Sequence, residues 1–271
     1  MPVWIDGRPA DTLPVSDRGL AYGDGLFETI AVRQGRIALL ERHMQRLAEG
    51  ARRLVLPLDL ALVRSELLAF AGELRQGVAK LIVTRGDGQR GYAPPVDARC
   101  RRILSGGPVP AYPPRHRLDG IRLFPCATRL AEQPLLAGLK HLNRLEQVLA
   151  RSEWQDPACA EGLMRDHNGR PIEGVFSNLF LVRDGELLTP ALTRCGVAGV
   201  MRAEILERAV AAGVACRVVD LDYADLLAAD EVFLCNSQYG IWPVVAFETH
   251  VWPVGGLTRK LQLMLTDLVD V

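Results

Sequence analysis

The sequence predicts an α+β fold in two domains, built mostly from antiparallel sheets with helices laid against them. Three observations carry that prediction. Strand-like runs meet at short turns, Gln34-Gly35, Asn168-Gly169 and Asp184-Gly185, dipeptides that suit tight hairpins. Two amphipathic helical patterns follow one another between residues 40 and 75. Near the middle, GGPVPAYPPRHR holds four prolines and reads as a connection. The expected division is a small N-terminal α+β domain at 1–107, a linker at 108–117 and a larger C-terminal domain at 118–271, with a cleft between the domains.

Each element has its own signal. VWIDGRPA reads as a short strand turning at Asp6-Gly7. Gly23, Asp24 and Gly25 read as a tight turn beside Tyr22, where a backbone can approach a ligand closely. Phe27 to Val32 and Arg36 to Leu40 form the first hairpin. In LLERHMQRLAEGARRLVLP, Leu40, Met44, Leu47 and Ala51 share a helical stripe that Pro57 ends. In the next helix Asp59 is the cap, with Leu60, Val63, Leu67, Phe70 and Leu74 inward. VAKLIVTRGDGQRGYAPP is a strand entering a glycine- and arginine-rich loop, and CRRILSGGPVP is another strand.

The second half opens on the strand IRLFPCATRL. Lys140 to about Trp154 reads as a helix, with Leu142, Leu145, Val148 and Leu149 at helical spacing. GLMRDHNGRPIEG and NLFLVRDGELLTP are hairpins. VAGVMRAEILERAVAAG is a helix closed by Gly213, and strand, short helix and strand follow to Asn236 and Ser237. LTRKLQLMLTDLV is a last helix.

Composition excludes several classes. The 32 basic and 32 acidic side chains cancel, which argues against nucleic acid or an acidic membrane as main partner, since both call for a basic surface. No run of about 18 apolar residues suggests a membrane span. The N-terminal stretch lacks the apolar centre of a signal peptide. Cys100, Cys126, Cys159, Cys195, Cys216 and Cys235 are scattered, without C-x-x-C pairs or histidines at ligand spacing. No metal site is expected, and a reducing cytoplasm suits free thiols.

One residue stands out chemically. Only Lys80, Lys140 and Lys260 are lysines; the remaining basic residues are arginines. Arginine stays protonated, whereas a lysine can become a free amine and attack a carbonyl. Lys140, in GLKHLNRLEQVL, is therefore a candidate Schiff-base residue, although rarity alone leaves a surface lysine as good a reading.

A series of motifs then narrows the choice. YGDGLFET, HMQRL, K-x-L-N around Lys140, EG-x-x-SNLF, GV-x-G-V-x-R and the Asn236-Ser237 pair occur in one order along nearly the whole chain. In this the sequence resembles the fold-type IV pyridoxal-phosphate enzymes, which include branched-chain and D-amino-acid aminotransferases and aminodeoxychorismate lyases. The resemblance implies their two-domain fold and pyridoxal 5'-phosphate as cofactor. It makes Lys140 the cofactor-bound lysine and a proton carrier, and Glu173 the partner of the pyridine nitrogen. Arg46, the helix start at Gly199, Val200 and Met201, and the hydroxyl of Ser237 become phosphate contacts. A homodimer with a shared active site is also implied.

Three features favour the lyase branch. Thr29 follows Glu28, TRGDGQRGY resembles the lyase loop, and Arg144 stands where branched-chain enzymes place tyrosine. By resemblance Thr29 acts near the substrate, and Tyr22, Arg90, Tyr92 and Arg144 contact it. The implied substrate is 4-amino-4-deoxychorismate, converted to 4-aminobenzoate and pyruvate. An aminotransferase of the same fold, or a non-catalytic cofactor-binding relative, are the other readings. His141, Trp242 and Trp252 receive no role from the sequence.

Overall fold

The structure, a computed structural model, describes residues 1–269. The chain forms two compact units: Met1–Pro110 with Leu139–Asn143, and Ala111–Gly138 with Arg144–Val271.

The first unit holds β1 (Val3–Ile5), β2 (Arg8–Pro9), α1 (Arg18–Tyr22), β3 (Gly25–Arg33) and β4 (Arg36–Ile37). It continues with α2 (Leu40–Arg53), α3 (Leu60–Leu74), β5 (Gly77–Thr84) and β6 (Arg101–Gly107). Its six strands form one antiparallel sheet in the order β2-β1-β6-β5-β3-β4. At Asp6-Gly7 and Gln34-Gly35 both turn residues have positive φ, the geometry that matches strand twist in tight hairpins. Asp59 caps α3 by accepting from the Leu62 N–H at 3.0 Å. Leu47, Val63, Leu67 and Phe70 are buried with Ile30, Leu81 and Val83 of the sheet. Burial of each such side chain contributes about 1.5–3 kcal/mol, so this core is what holds the two helices on the sheet.

The expected turn at Gly23-Asp24-Gly25 is instead the end of a short helix. Asp17 caps α1, and Gly23, at φ 64°, closes it in the left-handed region. Local capping chemistry was enough to make a helix too short to show a hydrophobic period.

The second unit begins with α4 (Pro114–Leu118), β7 (Ile121–Leu130), α5 (Leu145–Ser152), β8 (Cys159–Asp166) and β9 (Pro171–Gly174). Then come β10 (Asn178–Arg183), β11 (Glu186–Pro190), α6 (Val200–Ala211), β12 (Cys216–Val219) and α7 (Tyr223–Leu227). It ends with β13 (Glu231–Asn236), β14 (Gly240–Phe247), β15 (His250–Val251), α8 (Gly256–Met264) and α9 (Thr266–Val269). The main sheet runs β12-β11-β10-β13-β14-β7-β8-β9, and β15 pairs with β14. A bridge between Asn178 and Glu173 joins β9 back to β10, so six strands close into a barrel-like ring. Among the named strands, β11–β12, β14–β7 and β7–β8 pair in parallel, and antiparallel pairing dominates as the hairpin turns predict.

Two expectations need correction here. The helix does not start at Lys140 but at Leu145. Residues 139–143 run irregularly against β3: the Phe27 N–H donates to the Lys140 carbonyl, and the Leu142 N–H donates to the Gly25 carbonyl. Backbone groups spent on a strand cannot also make helix bonds. The apolar stripe also faces the other way, because Leu145, Val148 and Leu149 are exposed at 75, 59 and 60%. In addition, β14 has no counterpart in the sequence reading. Pro243 interrupts it, yet the ladder to β7 starts only at Val244, beyond the proline's missing N–H. Trp242 and Trp252 are both buried in the core of this unit.

Candidate active site

In the first unit β3 separates two groups of functional side chains. Leu26, Glu28 and Ile30 are buried on one face, while Phe27 and Thr29 alternate to the other, half-buried. The half-buried Lys140 places its Nζ 4.3 Å from the Phe27 ring centre, and Lys80 lies 5.7 Å from the same ring. Lys80 is also the strand partner of Thr29. Thr29 and Lys140 therefore stand in one neighbourhood around Phe27.

Behind them lies a buried ionic trio. Glu28 is 2% exposed and His43 1%. The Glu28 carboxylate accepts from Arg46 Nε at 2.8 Å and from Arg46 Nη2, and it lies 2.6 Å from His43 Nδ1. His43 and Arg46 share a face of α2 because they are three residues apart. Burial pushes the Glu28 carboxyl up, but the Arg46 charge and then His43 outweigh it and hold it at about 2. Burial lowers His43 and Glu28 opposes it. Burial wins, so the imidazole is neutral and its Nδ1–H donates to Glu28. Arg46 is thus an oriented guanidinium, fixed on one edge by a carboxylate.

Tyr22, Arg90 and Tyr92 form a third group. Arg18 donates to the carbonyls of Gly91, Tyr92 and Ala93 at 3.0, 3.0 and 3.3 Å, and to Asp24 at 2.9 Å. Arg85 donates to the same Asp24. The Gly91 N–H donates to the Tyr22 hydroxyl at 3.0 Å, and the Tyr22 and Tyr92 rings lie 5.5 Å apart. The loop is pinned from beneath while Arg90 and Tyr92 are exposed.

In the second unit Glu173 is 4% exposed and accepts the Val197 N–H at 2.8 Å. Asn178, five residues on, donates from Nδ2 to the Val197 carbonyl at 2.8 Å. Two side chains from β9 and β10 thereby clamp one residue just ahead of α6. Gly199 caps that helix, and a Cβ there would fall 1.9 Å from Asn178 Oδ1. Val200 and Met201, at the helix start, are buried. Arg202 donates to Thr189 Oγ1 at 3.1 Å and to the Pro190 carbonyl at 3.0 Å, fastening α6 to β11. Ser237 is half-buried at the turn after β13, which Asn236 shapes by accepting from the Gln238 and Tyr239 N–H groups. Arg144 precedes α5; burial weakens its cation, and the charges of Glu173 and Glu146 support it.

The motif spacing extends to known proteins. A family model for amino-transferase class IV matches residues 25–247. The chain belongs to the class IV aminotransferase family. It is 37% identical to an aminodeoxychorismate lyase of Vibrio harveyi, covering 96% of this chain and 97% of that one. It is 30% identical to a putative branched-chain-amino-acid aminotransferase of Methanocaldococcus jannaschii, covering 99% and 96%. Among solved structures it is similar to 4-amino-4-deoxychorismate lyase from Pseudomonas aeruginosa. That likeness has a TM-score of 0.98 and 68% identity, over 99% of this chain and 100% of the other.

The sequence assigns no role to Glu28, His43, Asn178 or Arg18, which the structure places in contact with expected site residues or their loops. Glu28 had a legible signal, since it occupies an inward position between Leu26 and Ile30. A carboxylate there must be paired. Among the described residues no cluster of His, Cys, Asp or Glu could hold a metal, and no helix is long and apolar enough to cross a membrane.

Proposed function

We propose that this chain is a pyridoxal-phosphate-dependent lyase that converts 4-amino-4-deoxychorismate into 4-aminobenzoate and pyruvate. The observation that carries the reading is full-length likeness to a lyase at 68% identity, against 30% to the Methanocaldococcus jannaschii aminotransferase.

The residues present fit the cofactor. Gly199 lets the start of α6 pack directly on Asn178, where any Cβ would clash at 1.9 Å, and the helix start, which no side chain caps, turns its N–H groups toward a phosphate. By the family resemblance, Arg46, oriented by Glu28, and Ser237 would be further phosphate contacts. Glu173 would hold a proton on the ring nitrogen, and Lys140 would hold the group through its amine. When bound, pyridoxal phosphate supplies a cationic ring that accepts the electron pair released at the substrate's C4.

The chain's own task is then proton transfer and orientation. Released from its holding role, Lys140 takes the C4 proton. The ether bond to the enolpyruvyl group breaks, the carbocycle becomes aromatic, and one proton is returned to the methylene of the departing fragment, giving pyruvate. Atoms balance without added water. Thr29, sharing the Phe27 neighbourhood with Lys140, positions that proton. Arg90, Tyr92, Tyr22 and Arg144 take the substrate's carboxylates.

The proposal includes a homodimer. On α5, Leu145, Val148 and Leu149 form an exposed apolar stripe at i, i+3 and i+4, which a second copy would cover. The exposed Arg90–Tyr92 loop would serve the neighbouring protomer's site. Light scattering is expected to give twice the chain mass, and L149D to shift it toward the monomer. A wild-type monomer at micromolar concentration overturns this part. The six cysteines are free thiols, which suits the proposed cytoplasmic setting.

The deciding experiment adds aminodeoxychorismate to the reconstituted protein and assays both products. Equal yields of pyruvate and 4-aminobenzoate are expected. Conversion of the cofactor to its amine form by an amino acid, without pyruvate from aminodeoxychorismate, would make the chain an aminotransferase instead.

A further inference from the structure

We infer that Glu161 is a positioning residue that sets the turn between Glu173 and Asn178, and that this turn tightens when Glu161 is ionised. The inference rests on the assignment of Glu173 and the α6 start to the cofactor.

Glu161 lies on β8 and is fully buried. Its carboxylate accepts from the N–H groups of Gly162 at 2.9 Å, Val175 at 3.1 Å and Phe176 at 3.3 Å, and from Ser177 Oγ at 2.8 Å. Three of these four donors belong to the turn at 174–177. The turn closes on itself through the Gly174 N–H and the Ser177 carbonyl at 2.7 Å. Its packing on Glu161 is close: a Cβ on Gly174 would lie 2.2 Å from Ser177 Oγ and 3.0 Å from the Glu161 carboxyl carbon. Asn236 holds the outer side, donating to the Phe176 carbonyl at 3.3 Å.

On either side of this turn stand Glu173 and Asn178, which grip the N–H and carbonyl of Val197. Val197 leads into Gly199 and α6. A movement of the turn therefore displaces the carboxylate and the helix start together. Glu161 is bonded to the turn that carries those groups, and acts through its backbone.

The protonation state matters because the surroundings are all donors. An ionised carboxylate satisfies them, whereas a protonated one turns an oxygen into a donor facing donors. Burial pushes Glu161 up to about 7 against the pull of its hydrogen bonds. The titratable groups that sense its charge are Cys126 on β7, Tyr112 ahead of α4 and Tyr239 ahead of β14. Each is itself pushed up, and so is neutral near pH 7. Glu173 lies on the adjacent strand β9.

Two measurements test the inference. In the full-length wild-type protein, amide hydrogen exchange at Phe176, corrected for intrinsic rates, is expected to show several-fold more protection at about pH 8 than at about pH 6, whereas the Val175 N–H, which also donates to the Gly162 carbonyl, serves as an internal reference. Unchanged protection overturns the inference, whatever the cofactor does. Glu161→Gln keeps the volume but turns an NH2 toward N–H donors, so its protection should be low and independent of pH. Its pyridoxal phosphate affinity at about pH 8 should fall about tenfold, the worth of one charge-assisted hydrogen bond. Wild-type affinity and wild-type exchange in E161Q would overturn the inference as well. Glu173→Gln separates the two ideas: if E173Q leaves the bound cofactor's absorbance unchanged, the assignment of Glu173 fails while the exchange result still judges Glu161.

Discussion

Lys140→Ala is expected to leave a folded protein that makes neither pyruvate nor 4-aminobenzoate at a measurable rate. The loss should be at least about a thousandfold, because general acid–base transfer alone contributes about 10²–10⁴. Folding should survive because Lys140 holds β3 through its backbone: its carbonyl accepts the Phe27 N–H at 3.0 Å, and alanine keeps that carbonyl. Among what alanine removes is the cation 4.3 Å from the Phe27 ring, worth about 0.5–1 kcal/mol at a half-exposed site. Lys140→Arg makes the test sharper. It keeps the charge beside Phe27 but supplies no amine that can lose a proton at neutral pH. If K140R retains more than a few per cent of turnover, Lys140 is an electrostatic residue and the proposed proton transfer is wrong. Both variants should also lack the visible absorbance of a lysine-bound cofactor, read in the same cuvette.

Legibility differed between the scaffold and the setting of the site. Hairpin turns were legible because a two-residue connection needs positive φ, and Asp6-Gly7, Gln34-Gly35 and Asp184-Gly185 adopt it. Helices α2 and α3 were legible because each buries one stripe on a sheet. The Lys140 stretch was not, and the reason is physical. Helical spacing of leucines says that a helix has an apolar side, but not what covers that side or where the backbone leaves the helix. Here tertiary hydrogen bonds to Gly25 and Phe27 claim the residues before Leu145. β14 was hidden by Pro243, since local rules cannot show that the proline precedes the parallel ladder. The Glu161 cradle was invisible for a similar reason. Its donors come mostly from a turn fourteen to sixteen residues away, and no spacing rule joins them.

Glu28→Ala should be the most destabilising single substitution among the site residues. It removes the carboxylate that pairs with Arg46 and accepts from His43 in a nearly dry environment, and breaking a buried pair in this way costs about 3–5 kcal/mol. For a chain of this size that lowers Tm on the order of 10 °C. The pH dependence gives an independent check. Glu28 is held at about 2 in the folded chain, below the ordinary value of 4.5 that it regains on unfolding. A depressed carboxylate stabilises above its unfolded pKa and loses that contribution as pH falls toward the folded one. The wild type should therefore lose about 3 kcal/mol between roughly pH 4.5 and pH 2 that E28A never had, and the two stability curves should converge in acid. Denaturant titrations across that range measure the convergence. Parallel curves would mean that Glu28 is not the ionised partner of Arg46. The functional cost should appear as weaker binding of pyridoxal phosphate, about ten- to a hundredfold, because a guanidinium freed from Glu28 must be reoriented before it can meet a phosphate. Adding Arg46→Ala to E28A should then change affinity less than R46A does in the wild type. Simple additivity would instead mean that Glu28 supports the fold without orienting Arg46.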